Sequence, residues 1–466
     1  MNIGKILVVS AIAVGVSFNL QALTIEDYVS PAHNAPKGIK DMRPMADGLT
    51  YSAISDDGSS IDVFDYKTGK KVNTIFSIST IKGDVKIDSF DGYSISENEK
   101  KILLWNDVNK IYRHSFSAQY FVYDVIRGTI KRVSTGGAQR GAVLSHDGRM
   151  VAYTRDNNIY ISNLDYDTDK SITTDGELNK IINGVSDWSY EEEFGVISTM
   201  RWSGDDTSLA YMKFDESDVP TYSFDNYKSF CDADPLSDIY PKSYSYKYPL
   251  AGYPNVKVSV HVYNIDNRTT KKMDLPVADY IPSFEYDGTG TNLMVMQLNR
   301  DQNHLELFKV NPGSTVARSI LEERNNSWLN PSAYQMVSYG KDSFVIGSER
   351  SGHCHLYEYD YNGSLLKQIT KGEWNVTDYY GKSPKLGTYY FQSTIKGAIN
   401  RNVCSVDAKG SVAILNDMDG FESASFSKSM DYYVRTFSTA TVPTVYSLCN
   451  SKGGVIKELE NNAAYA

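Results

Sequence analysis

The chain is poor in cysteine, has no long apolar run beyond its first residues and carries no excess of positive charge. Four cysteines in 466 residues, far apart at Cys231, Cys354, Cys404 and Cys449, do not make a disulfide framework. The net charge of −10 argues against nucleic acid as a partner and fits a cationic ligand. Sustained helical periodicity is also missing, which disfavours a helical fold.

Residues that could hold a metal or a cofactor are equally sparse. His353 and His355 would share one face of a strand, but zinc needs three or four ligands and no other His or Cys has suitable spacing. Acidic pairs such as residues 56–57 and 205–206 fit hairpin turns, and the Gly-Gly pairs form no phosphate loop. We therefore expect neither a metal nor a cofactor.

The one apolar run lies at the N-terminus. Lys5 precedes a mainly apolar stretch at residues 6–16, which is too short to span a bilayer. Ala22 then offers a small residue for cleavage before Leu23. The pattern predicts a signal peptide at 1–22 and export to a periplasm or the cell exterior. The alternative is an uncleaved N-terminal anchor.

Short repeated strand patterns fill the rest of the chain. Turn-like starts such as residues 145–148 (Ser-His-Asp-Gly) precede alternating apolar residues, and 35 Tyr against 17 Phe suits half-buried strands. Most units have about forty residues, the size of a four-stranded propeller blade. Eight units can be counted, at 49–80, 95–134, 141–178, 197–275, 281–322, 333–371, 377–416 and 422–460. We predict an all-β fold, an eight-bladed β-propeller of four-stranded antiparallel blades at 49–466, with an N-terminal segment at 23–48 and an extended arm at 215–255.

One acidic stretch stands out among these units. Residues 187–194 read Asp-Trp-Ser-Tyr-Glu-Glu-Glu-Phe, so three adjacent carboxylates follow two aromatic residues. Charges this close repel one another, and either the fold holds them in place or a cationic ligand offsets the repulsion. A bare Glu triplet is more often the solvated acidic face of a loop or short helix. The flanking residues and the matches given next favour a functional site.

Several further stretches occur in a fixed order and spacing. They are Tyr112-Arg113-His114-Ser115 with Tyr123-Asp124, Val151-Ala152-Tyr153 with residues 157–160, residues 184–188, Val219-Pro220 with residues 248–252, residues 297–303 and residues 442–448. Together with the acidic octet, they resemble the N-terminal eight-bladed propeller of dipeptidyl peptidase IV, in the prolyl oligopeptidase superfamily. The likeness runs from about residue 50 to residue 462.

The resemblance implies a clamp for the free N-terminus of a peptide. Glu192 and Glu193 would bind the substrate ammonium, which has three donors to share between two carboxylates. Arg113 would hold the Glu pair and hydrogen-bond a substrate carbonyl; the alternative for Arg113 is a surface or inter-blade ion pair. Such an anchor holds the chain end, so the scissile bond lies at a fixed distance from the site. Four residues would support the clamp: Glu191, as a structural acid, with Asp187, Trp188 and Tyr190.

The catalytic part of the family is missing from the sequence. In the family, a C-terminal α/β-hydrolase domain supplies a Ser in a Gly-x-Ser-x-Gly motif, then Asp and His, but this sequence has no such motif. We therefore expect no catalytic residue in this chain, and no peptidase activity from the chain alone. The missing hydrolase domain would be a partner, and the intact family member would form a homodimer with help from the arm.

Three explanations of the missing domain remain open. They are a fragment of a longer protein, one half of a split enzyme, and a freestanding propeller that binds peptides or proteins. The first hypothesis is the substrate-anchoring propeller of an exported dipeptidyl peptidase IV-like serine exopeptidase. The complete enzyme would release dipeptides with Pro or Ala in the second position. The second hypothesis is a non-catalytic binding propeller.

Overall fold

The computed structural model describes residues 36–227 and 241–463, together with Thr24, Ile25 and Val29. Its regular structure is almost entirely strand, in antiparallel pairs. The predicted signal peptide, Cys231 and part of the 215–255 arm lie outside the described residues. Within the described part of the chain, no helix combines the length and apolar character needed to cross a membrane.

The strands form consecutive antiparallel groups, which we number sheets one to eight. Sheet one contains β1 (Arg43–Pro44), β2 (Thr50–Ile54), β3 (Ser60–Asp65) and β4 (Lys71–Ser77), followed by a 3-10 turn at Ile78–Thr80. Sheet two contains β5 (Gly92–Ile95), β6 (Lys101–Lys110), β7 (Phe116–Asp124) and β8 (Thr129–Arg132). Sheet three contains β9 (Gln139–Leu144), β10 (Met150–Arg155), β11 (Asn158–Asn163) and β12 (Thr168–Ser171), and β9 pairs with β7 to join sheets two and three.

Sheet four departs from the four-stranded pattern. Two short strands, β13 (Ile181–Asn183) and β14 (Met200–Trp202), both pair with β15 (Ser208–Asp215), with a short helix, α1 (Trp188–Phe194), between them in the chain. A separate hairpin, β16 (Thr221–Asn226) and β17 (Lys242–Lys247), then leaves the sheet. The sheet is completed by β18 (Lys257–Asn264) and β19 (Thr269–Lys272). The hairpin lies within residues 215–255, the range predicted for the arm.

The remaining sheets return to four strands each. Sheet five contains β20 (Tyr280–Tyr286), β21 (Leu293–Leu298), β22 (His304–Val310) and β23 (Ala317–Arg324), and a second short helix, α2 (Pro331–Tyr334), follows it. Sheet six contains β24 (Val337–Tyr339), β25 (Ser343–Ser348), β26 (His355–Asp360) and β27 (Leu365–Gln368). Sheet seven contains β28 (Val376–Lys382), β29 (Tyr389–Ser393), β30 (Asn402–Val406) and β31 (Val412–Ile414). Sheet eight contains β32 (Phe421–Phe426), β33 (Tyr432–Ser438), β34 (Val445–Asn450) and β35 (Val455–Glu460).

Burial falls from the second strand of a sheet to its last strand. All six residues of β21 are buried, whereas all four residues of β19 are exposed. A strand that is covered on both faces buries both sets of side chains, so its sequence is a continuous apolar run. The last strands lie at the outer edge, where polar side chains protect the unpaired edge. The largest apolar cluster runs through sheets four, five and six.

The predicted turn starts are confirmed by their hydrogen bonds. Ser145 Oγ donates to Asp147 Oδ1 over 2.7 Å, and Ser203 Oγ donates to Asp205 Oδ1 over the same distance. The first bond closes a short turn between β9 and β10, and the second closes one between β14 and β15. The residue that follows the acid has a positive φ, and Gly148 (φ 73°) takes it more readily than Asp206 (φ 57°) does.

The first and last sheets contact each other. The rings of Tyr66 and Tyr432 stack with centroids 6.1 Å apart, and Lys457 Nζ donates to the Gly69 carbonyl over 3.0 Å. Strand β1 lies within the predicted 23–48 segment and pairs with β2 in sheet one. Sheet eight therefore lies beside sheet one.

Candidate functional site

The acidic triplet lies on α1, because capping residues at both ends stabilise a helix there. Asp187 is the N-cap, and its Oδ1 accepts the Tyr190 N–H over 2.9 Å. Gly195 ends the helix with φ 67°, a left-handed conformation that glycine adopts without strain. Successive helical residues are rotated by about 100°, so the three glutamates point in different directions.

Glu191 points into the protein and binds backbone. It is 1% exposed, and its Oε1 accepts the N–H groups of His114 over 2.7 Å and of Ser115 over 2.8 Å. These two residues belong to the turn between β6 and β7, which we call the 111–115 tip. Glu191 therefore fastens the tip of sheet two to the helix of sheet four.

Glu192 forms an ion pair with Arg113 at the same tip. Arg113 Nε lies 3.0 Å from Glu192 Oε2 and 3.3 Å from Oε1. The Arg113 side chain is 72% exposed, and that of Glu192 is 17% exposed. The guanidinium therefore has donors free for a ligand, while its charge offsets the repulsion within the acidic triplet.

Glu193 is exposed and borders a cavity of about 290 Å³ beside α1. Unlike Glu192, it forms no ion pair with a Lys or Arg in the parts of the chain that the structure describes. The structure thus brings the predicted Arg113 and Glu192 together, and Glu193, the next residue of α1, is an exposed carboxylate at the neighbouring cavity. The cavity wall includes Trp188, Tyr190, Phe194, Tyr248, Tyr280 and Arg300.

The predicted supporting residues fix α1 to its surroundings. Tyr190 is 1% exposed, and its hydroxyl accepts the Ile281 N–H over 2.9 Å, which ties the helix to sheet five. The Trp188 ring contacts Tyr248 and Tyr246, with centroid distances of 4.7 and 5.6 Å, which ties it to the arm. Asp187 is buried, and burial raises the pKa of its carboxyl.

Comparison with known families matches residues 96–444 to the model of the dipeptidyl peptidase IV (DPP IV) N-terminal region. The chain belongs to this family. The match includes the 111–115 tip, α1 and the whole 215–255 range of the arm, so every residue of the predicted clamp lies within the family's boundaries.

Individual relatives agree with this membership in the DPP IV N-terminal region family. Dipeptidyl peptidase 4 of Arthroderma otae is 29% identical over 433 residues, which are 89% of this chain and 54% of that protein. Dipeptidyl peptidase 4 of Trichophyton rubrum is 29% identical, over 86% of this chain and 52% of that protein. The chain therefore spans about half the length of the curated relatives it matches.

A solved structure supports the fold of this DPP IV N-terminal region. The crystal structure of Porphyromonas gingivalis dipeptidyl peptidase 4 superposes with a TM-score of 0.89 and 37% sequence identity, over 95% of this chain and 62% of that one. The all-β architecture of four-stranded antiparallel sheets is thus shared with a dipeptidyl peptidase.

Sequence reasoning missed the polar groups that lie beneath the clamp. Glu216, at the end of β15, is 6% exposed, and burial, together with the charge of Asp187, raises the pKa of its carboxyl to about 7. The Arg140 guanidinium, on β9, has a buried Nε, and burial lowers its pKa while Tyr112 and Glu191 act to raise it. A single Arg or Glu in a strand pattern carries no signal that distinguishes burial from exposure. The cap signals of α1, Asp187 and Gly195, could have predicted the helix.

One of the two candidate metal ligands makes hydrogen bonds of its own. His355 is buried, and its ring nitrogens lie 3.1 Å from Thr370 Oγ1 and 3.0 Å from the Gly372 carbonyl. Across residues 36–227 and 241–463, no group of three or more His, Cys, Asp or Glu could hold a metal ion. Three cysteines are buried free thiols: Cys354, Cys404 and Cys449.

Proposed function

We propose that this chain is the substrate-anchoring domain of an exported dipeptidyl peptidase IV-like serine exopeptidase, which binds the free N-terminal ammonium of a peptide. The observation that carries the proposal is the 3.0 Å pair between Arg113 and Glu192, with Glu193 exposed beside it. Arg113 and Glu192 thereby come from two different sheets to one place on the surface, and Glu193 would add the second carboxylate from the next position of α1. The names of the relatives, dipeptidyl peptidases, agree with this chemistry.

The chemistry of the clamp follows from its charges. An ammonium donates three hydrogen bonds, and charge-assisted bonds of this kind contribute about 1.5–3 kcal/mol each. Glu193 offers a free carboxylate, and Glu192 can share its oxygens between Arg113 and the ligand. Once the ammonium is bound, the free donors of Arg113 suit a peptide carbonyl. An acetylated N-terminus has no positive charge and should be rejected.

We propose further that the eight sheets are the blades of a closed propeller. The support is their consecutive order, their four-stranded pattern and the contact of sheet one with sheet eight. In a propeller, the 111–115 tip of sheet two and α1 of sheet four would come from blades separated by a single blade and could face the same opening.

Catalysis would come from a separate α/β-hydrolase domain. This sequence contains no Gly-x-Ser-x-Gly motif, and its matched residues belong to a family of N-terminal regions. The anchored peptide would present its second residue, Pro or Ala, to that domain. The predicted signal peptide at 1–22 supports export.

The arm hairpin is proposed as part of a homodimer surface. Tyr222, Phe224 and Tyr244 lie on one face of the hairpin and are 45, 43 and 40% exposed. A contiguous aromatic face of this kind favours association. Sedimentation velocity of the intact protein and of a Phe224→Ser variant would test it.

The clamp is tested by binding of matched peptides to the mature chain. A fluorescent peptide with a free N-terminus should bind more tightly than its acetylated form by about tenfold or more, as expected for one lost charge-assisted bond. Glu192→Gln and Glu193→Gln should each weaken binding of the free peptide and leave binding of the acetylated peptide unchanged. Fluorescence anisotropy measures both peptides under the same conditions.

A matched control separates the clamp from general charge. Glu322→Gln removes an exposed, ion-paired glutamate of sheet five, which lies 2.6 Å from Arg324, and should change neither affinity. Equal affinity for free and acetylated peptides in the wild type would refute the ammonium clamp.

A further inference from the structure

Three polar atoms at the junction of the 111–115 tip and α1 are buried without a hydrogen-bond partner among the described residues. They are Glu191 Oε2, Ser115 Oγ and Arg140 Nε. Buried polar atoms are normally hydrogen-bonded, so a cluster of buried atoms without hydrogen bonds needs a physical explanation. Two of the three are complementary, because Arg140 Nε–H is a donor and Glu191 Oε2 is an acceptor.

Arg140 lies on β9, which pairs with β7, the strand that follows the tip. In the pairing of β7 with β9, Arg140 lies opposite Ser117, two residues beyond the Ser115 N–H that binds Glu191. Tyr112 and Glu191 are the two groups whose charges favour the cationic form of its guanidinium. Arg140 therefore reaches the junction from sheet three, while Glu191 reaches it from sheet four and the tip from sheet two.

The junction has more acids than cations. The charges of Asp187 and Glu216 both act on Tyr112, and burial raises the pKa of both carboxyls. Lys247, which also acts on Glu216, donates its Nζ to the Val219 carbonyl over 2.7 Å. A buried carboxylate is costly when no cation lies near it. Because Arg113 is paired with Glu192 and Lys247 with a carbonyl, Arg140 is left as the positive charge that acts on Glu191.

We propose that Arg140 is a positioning residue of the ammonium clamp: its guanidinium is the counter-charge of Glu191, and Glu191 in turn holds the 111–115 tip, and with it Arg113, against α1. Arg140 would not touch the peptide. The effect of Arg140 on peptide binding rests on the proposed function, but the effect of Arg140 on Glu191 does not.

Hydrogen exchange of the full chain tests this effect without any ligand. The His114 and Ser115 amides are protected by Glu191, so their exchange, followed by mass spectrometry of a peptide that covers 111–118, reports the junction. Arg140→Met should speed their exchange by about tenfold or more, because a buried charge loses its partner. Arg140→Lys, which keeps the charge, should restore most of the protection. Arg132→Met, at an exposed arginine of sheet two, is the matched control and should change nothing.

A double variant distinguishes a counter-charge from simple packing. In a Glu191→Gln background no carboxylate needs a partner, so adding Arg140→Met should change the exchange of 111–118 by less than about threefold. An equal acceleration in both backgrounds, or a failure of Arg140→Lys to rescue, would make Arg140 a packing residue and overturn the proposal. If Arg140→Met does not fold, folding of the double variant supports the proposal and its failure to fold contradicts it.

Peptide binding adds a second readout. Arg140→Met should weaken binding of the free peptide by about tenfold, with little effect on the acetylated peptide. If the wild type does not discriminate between the two peptides, the proposed function fails, and the exchange experiment still decides the role of Arg140. If the wild type discriminates and Arg140→Met binds both peptides normally, the positioning role fails on its own.

Discussion

Tyr190 and Glu191 are neighbours on α1 and are both 1% exposed, yet they enter opposite kinds of surroundings. Tyr190 joins the apolar cluster of sheets four to six, and its ring meets Phe214 edge to face at 5.0 Å. Glu191 enters the polar junction with the 111–115 tip. One side of the helix is thus held by packing and the other by charge and hydrogen bonds.

The difference separates stability from positioning. Apolar contacts are non-directional and sum over area, so they hold α1 on the protein without fixing where its carboxylates point. Hydrogen bonds and charge pairs are directional, and a lost partner costs more than a made bond contributes. We expect changes on the apolar side to alter the stability of the whole fold, and changes on the polar side to alter the site.

The largest effect should come from the apolar side. Phe214→Ala removes a fully buried ring beneath Tyr190 and should lower the free energy of unfolding by about 3–5 kcal/mol. Urea denaturation followed by circular dichroism measures the change. Leu178→Ala, at a side chain that is 80% exposed, should cost less than about 0.5 kcal/mol. A loss below about 1 kcal/mol for Phe214→Ala would mean that this side of α1 is not held by packing.

A smaller effect should appear on the polar side as a dependence on pH. Because the pKa of Glu216 rises from its ordinary 4.5 to about 7 in the folded protein, its stabilising contribution is complete below about pH 4.5 and is lost as pH rises through 7. Between pH 5 and pH 8, the unfolding free energy of the wild type should therefore fall by about 1–3 kcal/mol relative to that of Glu216→Gln. Asp187, Asp215 and Lys247 are the charged groups that act on it.

The control for this titration is a carboxyl whose pKa is shifted in the opposite direction. Arg324 lowers the pKa of the exposed Glu322, so its contribution is lost only as pH falls below the ordinary range of a glutamate. The unfolding free energies of the wild type and of Glu322→Gln should therefore change in parallel from pH 5 to pH 8. Parallel curves for Glu216→Gln as well would show that Glu216 is ionised and paired in the folded state.

The contrast between apolar packing and polar contacts also explains what the sequence could predict. The apolar runs and Ser-x-Asp turns, such as residues 145–148, predicted strands and their repeat, because burial and turn geometry leave periodic patterns. The acidic octet stood out through its adjacent charges, but its function and that of Arg113 were assigned only through likeness to a family. Arg140 and Glu216 were missed, because a buried charge is defined by partners that are distant in sequence.

A third effect tests how the two sides of α1 meet at its cap. Asp187→Ala removes the acceptor for the Tyr190 N–H and should cost about 1 kcal/mol in unfolding free energy. It should also speed exchange of the α1 amides, which reports the helix itself. Asp187→Asn keeps an acceptor oxygen and removes a carboxyl whose pKa is raised by burial, so it should cost less than Asp187→Ala. Equal losses for the two variants would show that the charge of Asp187, and not its cap, stabilises α1.

The smallest effect on folding should come from the aromatic side chains of the arm, which belong to neither side. Phe224 pairs across the hairpin with Tyr244, at a centroid distance of 5.5 Å, but both remain about 40% exposed. Phe224→Ser should therefore change the unfolding free energy of the monomer by less than about 0.5 kcal/mol, since little area is buried. A loss of several kcal/mol that grows with protein concentration would instead mean that the arm is buried in an oligomer, because association stabilises only the folded chain. In that case the arm, through Trp188, would add a third, intermolecular support to α1.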